Sequence, residues 1–186
     1  RTVAPSLSLK ELEQEVSDLP VLLWGGEPTL RKDLPQVIQM FSQNRNVDVA
    51  MHTDAVLLSK EGVALSLVKT GLKTVYITLP SSRKDACEWL LGKGVLAKTI
   101  RGLRNSIRAG LTVIADVPLT RSTVDHLDET VVMLHRLGIS KVLFRMLNFS
   151  DIDDKAVVLA PRFGVLKLPI QMAITKASQL GVKIEI

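Results

Sequence analysis

Apolar residues recur along this chain in two patterns, short uninterrupted runs and stripes spaced by three or four, and the two alternate from end to end. Ser8, with Glu11 three residues on, is a capping-box pattern and predicts a helix over 8–16. Val21 to Trp24 is a short apolar run that reads as a buried strand. Leu34, Val37, Ile38 and Phe41 make the stripe of the next helix, with Asp33 as its N-cap and Pro35 in its first turn. Val47 to Met51 is a second strand, running into His52, Thr53 and Asp54. Val63, Leu65, Leu67 and Val68 predict a short helix closed at Gly71, and Thr74 to Leu79 predicts a strand stopped by Pro80. Ser81 to Gly94 is polar and mixed and reads as a connection, and a long helix follows over 95–109. Leu111 to Val117 is a strand stopped by Pro118. Leu127, Val131, Leu134 and Leu137 belong to a helix capped by Ser122 or Thr123 and ended by Gly138. Lys141 to Met146 is a strand, Asn148 to Lys167 is irregular, Pro169 to Leu180 is a final helix, and Val182 to Ile186 is a last strand.

One junction repeats. Gly71-Leu72-Lys73, Gly110-Leu111-Thr112, Gly138-Ile139-Ser140 and Gly181-Val182-Lys183 each read as a helix C-cap glycine feeding a strand. Repeated βα units of this kind predict parallel strands with right-handed crossovers, either open or curled into a partial barrel.

Length and composition narrow the picture. The 186 residues suit a single domain over 1–186. Only 4% are aromatic, so Val, Leu and Ile must fill the core, as in parallel strands buried on both faces. The formal charge of +5 is dispersed. Lys98, Arg101, Arg104 and Arg108 fall at helical spacing without interleaved aromatics, which describes a solvated helix face and argues against nucleic acid as partner. The one cysteine, Cys87, can form no internal disulfide and cannot hold a metal cluster alone, which suits a reducing, cytoplasmic setting. No apolar run is long enough to span a membrane. The chain begins at Arg1 and ends in a strand, so further protein is expected on both sides.

The stretch that organises the rest is Val21-Leu22-Leu23-Trp24-Gly25-Gly26-Glu27-Pro28. A strand breaks at two glycines, where the backbone can turn sharply and a ligand can approach it, and an acid stands at the break. In α/β folds ligands gather at the carboxyl ends of strands. Here those ends carry Gly25-Gly26-Glu27, His52-Thr53-Asp54, Thr78-Leu79-Pro80-Ser81, Asp116-Val117-Pro118 and Arg145-Met146-Leu147-Asn148. Thr78, Ser81 or Asp116 would suit a ribose, and Arg145 an anionic carboxylate. Each has a plainer reading: His52 as a core-edge histidine, Asp54 as a turn cap, Asp116 as a buried acid bonded to a backbone amide, and Arg145 as the partner of Asp116 or Glu27. Asp151, Asp153 and Asp154 lack the glycine and distal glutamate of a calcium loop. A phosphate-binding barrel would need a glycine-rich loop after a late strand, and Phe163-Gly164-Val165 is a poor one.

Gly25-Gly26-Glu27-Pro28 resembles the Gly-Gly-Glu-Pro motif of radical S-adenosylmethionine (SAM) enzymes. Thr53-Asp54-Ala55 resembles their Thr-Asn-Gly, Thr78-Leu79-Pro80 their Ser-Leu-Asp, and Gly92 with Gly94 the glycine pair that follows. Ala109-Gly110-Leu111 and Leu119-Thr120-Arg121 are also similar, and the likeness is to the branch holding the molybdenum-cofactor and peptide-modifying enzymes. The resemblance implies an α/β fold, a TIM-barrel-like partial (β/α)6 barrel of parallel strands with the first strand and cluster loop missing or truncated. It implies two cofactors, SAM and a four-iron four-sulfur cluster.

The implied activity is reductive cleavage of SAM to a 5′-deoxyadenosyl radical that abstracts a substrate hydrogen. The implied cofactor-binding residues are Gly25, Gly26, Glu27, Pro28, Thr53, Thr78, Asp116 and Arg145. The implied partners are a small-molecule or peptide substrate and an electron donor such as flavodoxin or ferredoxin. The sequence departs from the family in lacking the Cys-x-x-x-Cys-x-x-Cys motif and the aspartate near Pro80. The expectation is a cluster segment upstream of this chain, which as given would be inactive. The alternative is a degenerate, non-catalytic barrel that binds a SAM-like nucleotide or a protein.

Overall fold

The computed structural model describes residues 7–14, 19–43, 46–146 and 159–186. Six strands run parallel in chain order: β1 (Val21–Leu23), β2 (Val49–Thr53), β3 (Leu72–Thr78), β4 (Thr112–Pro118), β5 (Lys141–Arg145) and β6 (Lys183–Glu185). The helices are α1 (Leu9–Gln14), α2 (Leu34–Ser42), α3 (Val63–Lys69), α4 (Lys84–Leu91), α5 (Val95–Arg108), α6 (Leu127–Arg136) and α7 (Phe163–Leu180). This is the alternating α/β order expected. The chain divides into two compact units, Arg1–Ile77 with Ile100–Val113, and Thr78–Thr99 with Ile114–Ile186.

In the first unit β1 pairs with β2 and β2 with β3, in the registers Leu22↔Ala50 and His52↔Tyr76. The apolar stripe of α2 is buried as Leu34, Val37, Ile38, Met40 and Phe41, and it shares the core with Val49, Met51, Val75, Ile77 and Leu103. Pro35 is tolerated because first-turn amides have no partner inside the helix. Asp33 does not cap α2 with its side chain. Its carboxylate instead takes a fork from Arg31, Nε to Oδ1 at 2.6 Å and Nη2 to Oδ2 at 2.9 Å. Ser8 and Glu11 form the expected box, the Ser8 N–H reaching Glu11 Oε2 at 2.7 Å and the Glu11 N–H reaching Ser8 Oγ at 3.3 Å.

In the second unit β4, β5 and β6 pair side by side, in the registers Asp116↔Leu143 and Val142↔Ile184. Helix α6 buries Leu127, Val131 and Leu134, and α7, which packs against it, buries Leu166, Ala173 and Ala177. Gly71, Gly110, Gly138 and Gly181 all have positive φ, as the four junctions predict.

Four expectations are corrected. Residues 84–91, read as part of a connection, form α4, a helix with one buried residue, Cys87, and so almost no stripe to read. Helix α7 begins at Phe163, and Pro169 lies inside it. Neither Ser122 nor Thr123 caps α6, because a 3₁₀ turn, Val124–His126, precedes it. Leu65 faces out of α3, which buries Ala64 and Leu67 instead. Asp151, Asp153 and Asp154 lie outside the described residues.

Candidate functional site

The expected site residues fall into two groups, one in each unit. The first is built on the turn after β1. Gly25 and Gly26 have φ of 106° and 59°, and a Cβ at either would meet nothing within 4 Å. The bare backbone therefore faces open space. Glu27 then starts a 3₁₀ turn, Pro28–Leu30, with Pro28 at its first position. Its Oε1 accepts from the Thr29 N–H at 3.1 Å and the Thr29 hydroxyl at 2.6 Å. The same oxygen accepts from the Thr53 hydroxyl at 2.7 Å, and Oε2 accepts from the Asp54 N–H at 2.8 Å. A carboxylate with four donors is held in place. Thr53, the last residue of β2, is buried, and its Oγ1 also accepts from the Ala55 N–H at 3.0 Å. Asp54 does cap a turn, through the Val56 N–H at 2.8 Å.

Helix α5 fixes the turn after β2 from behind. A Cβ on Gly102 would stand 2.1 Å from the Ala55 carbonyl oxygen, so only glycine lets the helix come this close. Asn105 Nδ2 donates to the Leu58 carbonyl at 2.9 Å. Ala55 is held at φ 59°, left-handed for a residue with a Cβ. At the ends of β1 and β2 the Trp24 and His52 rings lie 5.8 Å apart with planes at 53°, and Trp24 is 65% exposed.

The second group stands at the ends of β3, β4 and β5. The Asp116 side chain is fully buried and that of Arg145 is 30% exposed. Arg145 Nε donates to Asp116 Oδ1 at 2.9 Å and Nη2 to Oδ2 at 2.9 Å, a two-pronged pair. The Thr78 hydroxyl donates to Asp116 Oδ2 at 3.2 Å. The backbone supports this cluster from both sides, the Leu79 N–H donating to the Asp116 carbonyl and the Leu119 N–H to the Arg145 carbonyl, each at 2.9 Å. Of the two partners open to Arg145 in the sequence, Asp116 is the one observed.

Sequence reasoning missed three participants: Thr29, Gly102 and the Trp24–His52 contact. A hydroxyl two residues after an acid signals a side-chain turn cap, so Thr29 was findable. Gly102 inside a helical pattern signals close packing. The ring contact needs the strand register. Among the described residues no cluster of three or more His, Cys, Asp or Glu could hold a metal ion. Cys87 is buried in α4, and burial pushes its thiol up to about 11. Among the described residues no helix is long and apolar enough to cross a membrane.

Comparison with known proteins places this geometry. A probable GTP 3′,8-cyclase of Sulfurisphaera tokodaii is 34% identical over 123 residues, covering 66% of this chain and 39% of that protein. The chain spans less than half the length of the curated relatives compared with it. A domain of pyruvate-formate lyase-activating enzyme from Bacteroides vulgatus has the same fold, with a TM-score of 0.68 at 16% identity, over 90% of this chain and 98% of that one. Streptococcus suis SuiB bound to S-adenosylmethionine matches with a TM-score of 0.70 at 16% identity, over 89% of this chain and 38% of that one. The sequence model of the radical SAM superfamily matches residues 3–134. With its six parallel strands, its glycine-broken first strand end and this match across most of its length, the chain belongs to the radical SAM superfamily.

Proposed function

We propose that this chain is the SAM-binding core of a radical SAM enzyme. The superfamily's cofactors are SAM and a four-iron four-sulfur cluster, which together supply a carbon radical for hydrogen abstraction. The cluster does not fit the residues present: three thiolates are needed and the sequence holds one cysteine, itself buried. No step through it is assigned to this chain. What the chain's own residues offer is a place for SAM.

The observation that carries this reading is the diglycine turn, whose backbone faces open space beside an anchored carboxylate. An ammonium donor needs acceptors. The carbonyls around Gly25 and Gly26 supply them, and Glu27 Oε2, with one hydrogen bond from Asp54, has lone-pair capacity for another. Pro28 sets the direction of the turn, and Thr53 holds Glu27. In the second unit Thr78 and Arg145 are assigned to polar groups of a ligand, and Asp116 to holding Arg145 in place. Relatives named for GTP make a purine nucleotide the first substrate to test. The expected setting is the cytoplasm, with a flavodoxin- or ferredoxin-type electron donor.

The test is calorimetric titration of SAM and S-adenosylhomocysteine into the 186-residue chain. Binding is expected, and loss of binding in Gly26→Ala locates it. Protein expressed from the gene's full reading frame, rebuilt anaerobically with iron and sulfide, is expected to convert SAM to 5′-deoxyadenosine. The second reading, a non-catalytic barrel, is favoured by the single cysteine. SAM binding from a reading frame without three further cysteines would establish it.

A further inference from the structure

One face of the first unit's sheet is packed, and the other is open. Along β2 and β3, Met51 and Val75 are buried, while the alternate residues His52 and Tyr76 are half-buried on the opposite face. The register of β1 on β2 puts Leu22 beside Ala50 on that open face, and Trp24, two residues on, meets His52. Leu22 is 47% exposed and Trp24 is 65% exposed. The register of β2 on β3 sets Tyr76 beside His52. The rings of Trp24, His52 and Tyr76 therefore form a row across three adjacent strands, with Leu22 and Ala50 beneath it. Neighbouring strands lie about 4.8 Å apart, so the row is about 10 Å wide. The His52 ring meets the indole at 5.8 Å and 53°, a tilted contact that steadies it.

Apolar side chains gathered on an exposed face mark a binding surface, and what adjoins this one indicates its ligand. Trp24 is bonded directly to Gly25, and the bare backbone of Gly25 and Gly26 faces open space. A flat aromatic platform and unshielded backbone polar groups thus share one strand end. That combination suits a heteroaromatic ring held beside a polar cofactor. We propose that Trp24, backed by His52 and Tyr76, stacks on the purine ring of the substrate. The proposal rests on the SAM-core reading, which puts SAM against the diglycine turn. A substrate that gives up a hydrogen there must lie in contact with it. Stacking reads the flat face of a base, so it does not depend on the sugar or the phosphates.

The one other tryptophan, Trp89, lies in α4. Trp89→Phe therefore makes Trp24 the sole indole reporter. Guanosine, ribose and SAM are titrated into that variant by fluorescence, and into wild type, Trp24→Leu and Trp24→Phe by calorimetry. Guanosine is expected to bind and to change the Trp24 emission, and ribose to do neither. Trp24→Leu is expected to weaken guanosine by about fivefold or more and to leave SAM within about twofold. Trp24→Phe keeps a flat ring and is expected to retain more of the guanosine affinity than Trp24→Leu. Equal losses of guanosine in the two variants overturn the proposal, because ring stacking is then not what was lost. SAM weakened as much as guanosine in Trp24→Leu also overturns it, because the indole then serves the turn or the adenine of SAM. Guanosine that does not bind, or binds without regard to Trp24, overturns it while SAM binding keeps the SAM-core reading. Guanosine binding that depends on Trp24 without any SAM binding keeps the ring site and overturns that reading. A chain that binds neither overturns both.

Discussion

Glu27, one residue past the diglycine turn, and Thr53, at the end of β2, are joined by a 2.7 Å hydrogen bond that ties two strand ends together. The same carboxylate collects three further donors, two from Thr29 and one from the Asp54 amide. Glu27→Gln keeps the shape but swaps one acceptor oxygen for an amide that can only donate. A donor facing it loses its partner, at a cost of about 2 kcal/mol. For a chain of this size that lowers the melting temperature by roughly 4–8 °C. Thermal denaturation followed by circular dichroism checks this, and an unchanged melt would mean that the four bonds are replaceable by water.

Gly26→Ala separates folding from binding. The added methyl meets nothing within 4 Å, so its cost is that of a left-handed alanine, about 1 kcal/mol. The methyl also enters the space assigned to SAM. The expected result is a small loss of stability with at least a tenfold loss of SAM affinity. Equal losses in both would remove the turn from the binding site.

Gly102→Ala and Gly164→Ala are opposite cases of one substitution. At Gly102 the methyl would stand 2.1 Å from the Ala55 carbonyl, and overpacking of this kind costs about 1–3 kcal/mol or more. At Gly164, near the start of α7, it meets nothing, and helix propensity favours alanine by up to about 1 kcal/mol. Urea denaturation should move the midpoint down for the first and up for the second.

Cys87 gives a pH-dependent signature. Burial pushes its folded thiol up to about 11, above the ordinary thiol range. The folded state therefore holds its proton where the unfolded chain has released it. The resulting stability is present below pH 9 and is lost as pH rises through 11. Cys87→Ala should flatten the stability profile between those values. Iodoacetamide at pH 8 should label the unfolded chain far faster than the folded one, and equal rates would contradict the burial.

The sequence made the strands and their glycine junctions legible because each carries a strong local signal, an apolar run or a residue that must adopt positive φ. Helix α4 was not legible, since only Cys87 is buried in it and one buried residue has no period. Pro169 misplaced the start of α7 because proline is read as a boundary, yet here it sits inside the helix. In the site, Glu27, Thr53, Asp116 and Arg145 were identifiable as polar residues at strand ends. Their bonding was not, because Thr53 meets Glu27 and Arg145 meets Asp116 only through register and rotamer.

The ring of donors around Glu27 has a consequence for recognition. Hydroxyls and amides of the protein itself already hold the turn in shape before any ligand arrives. An incoming molecule then loses its own freedom but need not freeze the loop that receives it, and preorganisation of this sort raises affinity without adding a single contact.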